Sequence, residues 1–158
     1  MKKIILILGL LLPIGVFVFL GVFGKNEFSI PVYYENGVDE IPSSCTRNYK
    51  SPYVLSDSLL KALGWNGDSV LLMSNSSHDA QPWLTRLKKE TGTNVQVISP
   101  ATISENHLEI YACDLFLEKP WTTVLVDDQR RIRGYYAPET REEADRLIVE
   151  LKILLKQY

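Results

Sequence analysis

The sequence predicts an α/β fold, one domain with elements in the order β-α-β-α-β-β-α, preceded by a single N-terminal transmembrane helix. Three observations predict the domain. Val70-Leu71-Leu72-Met73 and Asn94–Ser99 are short apolar runs set a helix-length apart, the pattern of parallel strands that are buried on both faces. Thr123–Asp127 and Arg131–Tyr136 flank a short polar turn, as the two arms of an antiparallel hairpin do. Ala144, Leu147, Ile148, Leu151, Leu154, Leu155 and Tyr158 recur at helical spacing and make a stripe that faces a core. Strands that alternate with helices place a chain in the α/β class.

The chain divides into residues 1–24, an anchor; 25–56, a stalk or lead-in; and 57–158, the folded domain. Ile4 to Gly24 carries no charged side chain. A helix over those 21 residues spans roughly 31 Å, enough for a hydrocarbon core of ~30 Å. A cleaved signal peptide is the rival reading, but its apolar region is normally ~7–15 residues with a small-residue cleavage site. This run is longer, and Val22-Phe23-Gly24 is a poor site, so the sequence favours the uncleaved anchor. Lys2 and Lys3 precede the run. The positive-inside bias then predicts a single-pass inner-membrane protein, with its N-terminus in the cytoplasm, residues 4–24 in the lipid bilayer and the domain in the periplasm or outside.

Lys25 to about Ser56 is rich in Pro, Ser, Asn and Tyr, with a short strand expected at Ile30–Tyr34. Asp57–Leu63 reads as a short helix that stops before Gly64. After the first core strand, Ser74 to Gln81 is a polar turn; Pro82 then opens a helix that Gly92 ends. Ser104–Phe116 is expected to be helical, although Leu108, Ile110 and Ala112 also alternate as in a strand. The last helix follows a capping box, Thr140 with Glu143, after Pro138.

The formal net charge of −2 comes from interspersed acids and bases. No basic patch marks a nucleic-acid partner. The chain has two cysteines, Cys45 and Cys113, and no C-x-x-C motif. In an oxidising compartment they can pair; otherwise they are two separate thiols. Sequence separation does not decide between these, because pairing depends on the Cα distance.

Val124-Leu125-Val126-Asp127-Asp128-Gln129-Arg130-Arg131-Ile132-Arg133-Gly134-Tyr135-Tyr136 resembles the hairpin of the SCO/SenC family, which commonly reads LVLIDKDGRIRGYY. The helix Glu142 to Lys156 resembles that family's E-E-x-x-R-L-I-x-x-I-K-x-L-L-K segment. Met1-Lys2-Lys3, the apolar span, Phe23-Gly24-Lys25-Asn26 and Pro31-Val32-Tyr33-Tyr34 are similar to bacterial members of Bacteroidetes type. The resemblance implies a membrane-anchored, thioredoxin-like fold and a link to copper delivery and cytochrome oxidase assembly. It covers both ends of the chain and little of the middle.

The departures bear on function. Where the family carries C-x-x-x-C, this chain has Ser74 to Gln81 with no cysteine; where it carries a histidine before the hairpin, this chain has Glu118-Lys119-Pro120-Trp121. A thiolate–imidazole copper site needs soft donors close together. No cofactor is therefore expected, and copper is disfavoured.

His78, His107 and Cys113 are the remaining metal-ligand candidates, and His78 reads more simply as a solvated loop side chain. On a helix, His107 and Cys113 fall on different faces. Ser76 and Ser77 beside His78 lack the third group that orients a base, so no catalytic residue is assigned. The resemblance makes Pro120 a candidate for a cis peptide, an isomer that X-Pro bonds adopt only ~5% of the time in folded proteins, with a groove beside Trp121. Trp65, Trp83, Trp121, Tyr135 and Tyr136 read either as edges of that groove or as core and rim aromatics. The function expected is a non-catalytic binding or assembly role with an envelope protein partner. The alternatives are a redox or copper-handling role for Cys45 and Cys113 in oxidase assembly, or an unrelated structural domain.

Overall fold

Among the described residues, four strands form one mixed sheet: β1 (Val70–Ser74), β2 (Val95–Ile98), β3 (Thr123–Val126) and β4 (Ile132–Tyr136). The computed structural model describes residues 11–19, 28–67, 69–75, 82–92, 95–103 and 105–156. The strands lie in the order β2-β1-β3-β4. β1 and β2 run parallel, with Val70 opposite Val95. β3 is antiparallel to β1, with Leu72 opposite Leu125, and to β4, with Val124 opposite Tyr135.

Every residue of β1 is buried, because the sheet is covered on both faces. Side chains alternate across the pleat. Leu71, Met73, Val124, Val126, Ile132 and Tyr135 belong to one cluster; Val70, Leu72, Leu125 and Tyr136 belong to the other. Four helices cap these layers: α1 (Asp57–Ala62), α2 (Pro82–Thr91), α3 (His107–Glu109) and α4 (Arg141–Leu154). α2 and α4 cover the second cluster with Trp83, Leu84, Leu87, Ala144, Leu147, Ile148 and Leu151. Lys152 of α4 reaches Glu90 of α2 at 2.6 Å, and Arg86 pairs with Asp145.

Local chemistry sets the helix ends. Ser56 Oγ accepts from the Leu59 amide at 3.3 Å and starts α1. α1 ends in a Schellman motif: Gly64 sits at φ +84°, its amide donates to Lys61, and the Trp65 amide donates to Leu60. Thr140 Oγ1 accepts from the Glu143 amide at 3.4 Å and caps α4. The return arm of the expected capping box is not made. The Thr140 amide donates to Ala137 instead, and Glu143 accepts from Arg146.

The expected helix over 104–116 takes a different form. α3 runs directly into a π-turn at Ile110–Asp114, with the Leu115 amide donating five residues back to Ile110. Six of the seven residues from Ile110 to Phe116 are buried, Ala112 being the exception. Leu108, whose spacing with Ile110 and Ala112 suggested a strand, is exposed, so that alternation marks no buried face.

The lead-in packs on the domain. Ile30, Tyr53 and Leu55 are buried, and Tyr53 and Leu55 join the first cluster with α1 and the π-turn. The short strand expected at Ile30–Tyr34 is not formed. Tyr33 donates to Ile132 at 2.9 Å on the outer edge of β4, then the chain turns over 33–36. Pro31 has no N–H with which to extend that ladder.

The structure corrects the expected transmembrane anchor. Among the described residues, no helix is long and apolar enough to cross a membrane. Residues 11–19 are helical and exposed, but at ~1.5 Å per residue they span about 14 Å, less than half of a ~30 Å hydrocarbon core. Residues 4–10 and 20–24 of the expected span lie outside the described residues. The single-pass topology and the inner-membrane placement, which rested on that span, are corrected with it.

Candidate functional site

The end of β1 sits beside the segment that leads into β3. Ser74 pairs with Thr123, and the Asn75 amide donates to Thr122 at 2.8 Å. The Ser74 carbonyl accepts the Tyr111 hydroxyl at 2.9 Å, and Thr123 Oγ1 lies 3.3 Å from Ser74 Oγ. The Lys119–Pro120 peptide just before β3 is cis. The register therefore places Pro120 and Trp121 next to the point where the chain leaves β1. Ser76, Ser77 and His78, which follow, lie outside the described residues.

Arg146 of α4 organises the far side of this surface. Its guanidinium lies 4.6 Å from the Tyr136 ring centroid and 5.8 Å from that of Trp121. It also donates to the Tyr135 carbonyl at 2.7 Å, to Glu143 at 2.8 Å and to Glu150 at 3.1 Å. Tyr136 donates its hydroxyl to Glu150 at 2.6 Å. Burial, and then that hydrogen bond, push the Tyr136 phenol far above its usual range. These groups hold Trp121 in place, and the Tyr136 phenol keeps its proton at neutral pH. Trp65 and Trp83 are core residues on opposite faces of the sheet, whereas Trp121 is half-buried.

A second constellation joins the lead-in to the π-turn. Cys45 and Cys113 form a disulfide with a Cα–Cα distance of 5.5 Å. Three successive carbonyls at the end of the π-turn have tyrosine partners: Tyr49 donates to Cys113 at 2.8 Å, Tyr53 to Asp114 at 2.7 Å and Tyr135 to Leu115 at 2.8 Å. A helical end leaves such carbonyls without intrahelical donors, and the hydroxyls supply them. Tyr49 packs edge-on to Tyr53 at 5.7 Å and Tyr53 edge-on to Phe116 at 5.1 Å, and Tyr49 lies tilted against Phe116 at 5.3 Å between centroids.

Arg47 closes this constellation by pairing with Asp114 and, at 2.9 Å, with Glu109. Asp114 is buried, and its Oδ2 has no hydrogen-bond partner among the described residues. Burial raises the Asp114 carboxyl above its usual range, against the lowering effect of Arg47. Asp114, Tyr49 and Tyr53 line a cleft of about 240 Å³ with Arg47, Asn48 and Lys50. Sequence reasoning singled out the two cysteines here and missed Arg47, Tyr49, Tyr53 and Asp114. The density of tyrosines near Cys45, and the acid next to Cys113, were the available signals.

The copper implied by the family resemblance does not fit these donors. Cys113 shares its sulfur with Cys45, and His107 lies against the Tyr111 ring with centroids 6.2 Å apart. Among the described residues, no group of three His, Cys, Asp or Glu side chains could hold a metal ion. Comparison with protein-family models, with curated proteins and with solved structures finds no match for this chain.

Proposed function

We propose that this chain is a non-catalytic binding or assembly module, built on a thioredoxin-like scaffold that resembles SCO/SenC proteins but lacks their copper chemistry. One observation carries the reading. Both cysteines of the chain are joined in the Cys45–Cys113 disulfide, while the segment after β1 and the one before β3 contain none. The scaffold part is supported by the parallel β1–β2 pair and the β3–β4 hairpin with its closing helix α4. The half-buried Trp121, held by Arg146 beside Pro120, is the contact surface such a module offers.

Copper(I) titration against a competing chelator, on oxidised and dithiol-reduced protein, tests this. The expected result is no stoichiometric binding at micromolar affinity in either form. Tight binding by the reduced form that disappears in Cys45→Ser or Cys113→Ser would overturn it. That outcome would favour the redox or copper-handling alternative.

A further inference from the structure

We propose that Asn66 is a self-modification site, where the Gly67 amide of the same chain converts the side-chain amide to an aspartyl or isoaspartyl carboxylate with release of ammonia. Asn-Gly occurs twice in the chain, at Asn36-Gly37 and Asn66-Gly67. In such a pair the glycine nitrogen can reach the asparagine Cγ, because no Cβ shields it. The fold treats the two pairs differently. The Gly37 amide donates to the Tyr34 carbonyl at 3.2 Å, and a Cβ at Gly37 would lie 3.7 Å from Ser51. The Gly67 amide has no hydrogen-bond partner among the described residues, and a Cβ at Gly67 would meet nothing within 4 Å. Asn66 and Gly67 are both exposed, so water and hydroxide reach them.

The carbonyl that is attacked is also activated. Ser69 Oγ donates to Asn66 Oδ1 at 2.9 Å. That donor draws charge from Cγ and stands where the oxyanion of the tetrahedral intermediate forms. Ser69 is itself held, since its carbonyl accepts from Trp65 Nε1 at 3.0 Å. Hydroxide removes the Gly67 amide proton. The nitrogen bonds to Cγ, and the Cγ–Nδ2 bond breaks as ammonia leaves with a proton from water. Water then opens the succinimide ring at either carbonyl and leaves aspartate or isoaspartate. The step needs no oxidant, and it adds one negative charge to a chain of formal net charge −2.

Trp65 and Asn66 lie between α1 and β1, and β2 is clamped to them. The Asn66 amide donates to Gln96 Oε1 at 3.2 Å, and Gln96 Nε2 donates to the Gly64 carbonyl at 2.7 Å. Gln96 lies on β2, an edge of the sheet. Isoaspartate puts one extra carbon into the main chain between Cα of residue 66 and Gly67, next to the amide that Gln96 holds. Conversion therefore loosens the clamp on β2. None of these residues belongs to the Pro120–Trp121 surface.

Peptide mapping by mass of the oxidised full chain, held at mildly alkaline pH both folded and in urea, tests the site. In the folded protein Asn66 is expected to convert about fivefold faster than Asn36, the factor that one net hydrogen bond at Gly37 supplies. In urea the two Asn-Gly pairs are expected to convert at similar rates, since only the fold separates them. Ser69→Ala is expected to slow Asn66 several-fold and to leave Asn36 unchanged. Converted protein is expected to exchange its amide hydrogens faster at Val95–Ile98 than the parent, and unchanged exchange there would remove the coupling through Gln96. The proposal is overturned if Asn66 converts no faster than Asn36 in the folded protein, if the same ratio persists in urea, or if Ser69→Ala leaves the Asn66 rate unaltered.

Discussion

Gly134 has room for a hydrogen atom and little else. A Cβ built there would lie 2.7 Å from Cζ of Tyr136, two residues along on the same face of β4. The ring cannot step aside, since Tyr136 is fully buried and its hydroxyl is held by Glu150. Gly134→Ala is therefore expected to destabilise the protein by about 1–3 kcal/mol, read as a lower urea midpoint. Asp114 carries a pH dependence. Its folded carboxyl titrates above the unfolded one, so the folded state holds the proton more tightly. The stability linked to this group is full below the unfolded carboxylate range and declines as pH rises through the raised value. Thermal melts of Asp114→Asn across that window should show a flatter decline than the parent. Identical slopes would remove Asp114 as the cause.

At the scale of elements, the β3–β4 turn is organised by one carboxylate. Asp127 Oδ1 accepts from the Gln129 and Arg131 amides at 3.0 and 2.9 Å, and Oδ2 accepts from Arg131 Nε at 2.8 Å and from Arg133 at 3.1 Å. Arg133 is largely buried and also donates to the Ile30 carbonyl, so the same turn holds the lead-in. Asp127→Ala leaves a buried guanidinium without its counter-charge; a loss of about 3–5 kcal/mol is expected by chemical denaturation. The cap of α4 is a smaller effect. Thr140→Ala removes the acceptor for the Glu143 amide and should cost ~1 kcal/mol in the same assay.

At the scale of the whole molecule, the disulfide ties the lead-in to the π-turn over a sequence separation of 68. In the chain-entropy picture, closing such a loop contributes about 4 kcal/mol. Cys45→Ser with Cys113→Ser should lower stability by that order and loosen the tyrosine array that rests on the π-turn. Alkylation followed by intact mass should add no label to the oxidised protein and two after reduction. Labelling without reductant would show that the thiols are free in solution.

The sequence by itself determined the α/β class and the core elements of the sheet and its helices. β1, β2, the β3–β4 hairpin and α4 lie where their apolar runs and stripe place them, because burial on a pleat or on a helix face imposes a period that one chain displays locally. The cap at Thr140 and the stop at Gly64 were legible for the same reason: both are satisfied within a few residues. Only the tertiary structure decided the π-turn, the packed lead-in and the cleft. Tyr49 and Tyr53 earn their positions from carbonyls more than sixty residues away, and Arg47 from two carboxylates equally distant. Tertiary structure also overturned the expected bilayer span, which had rested on hydropathy and on the family resemblance. Hydropathy measures what a segment tolerates, whereas pairings across the chain depend on distances that no local pattern encodes.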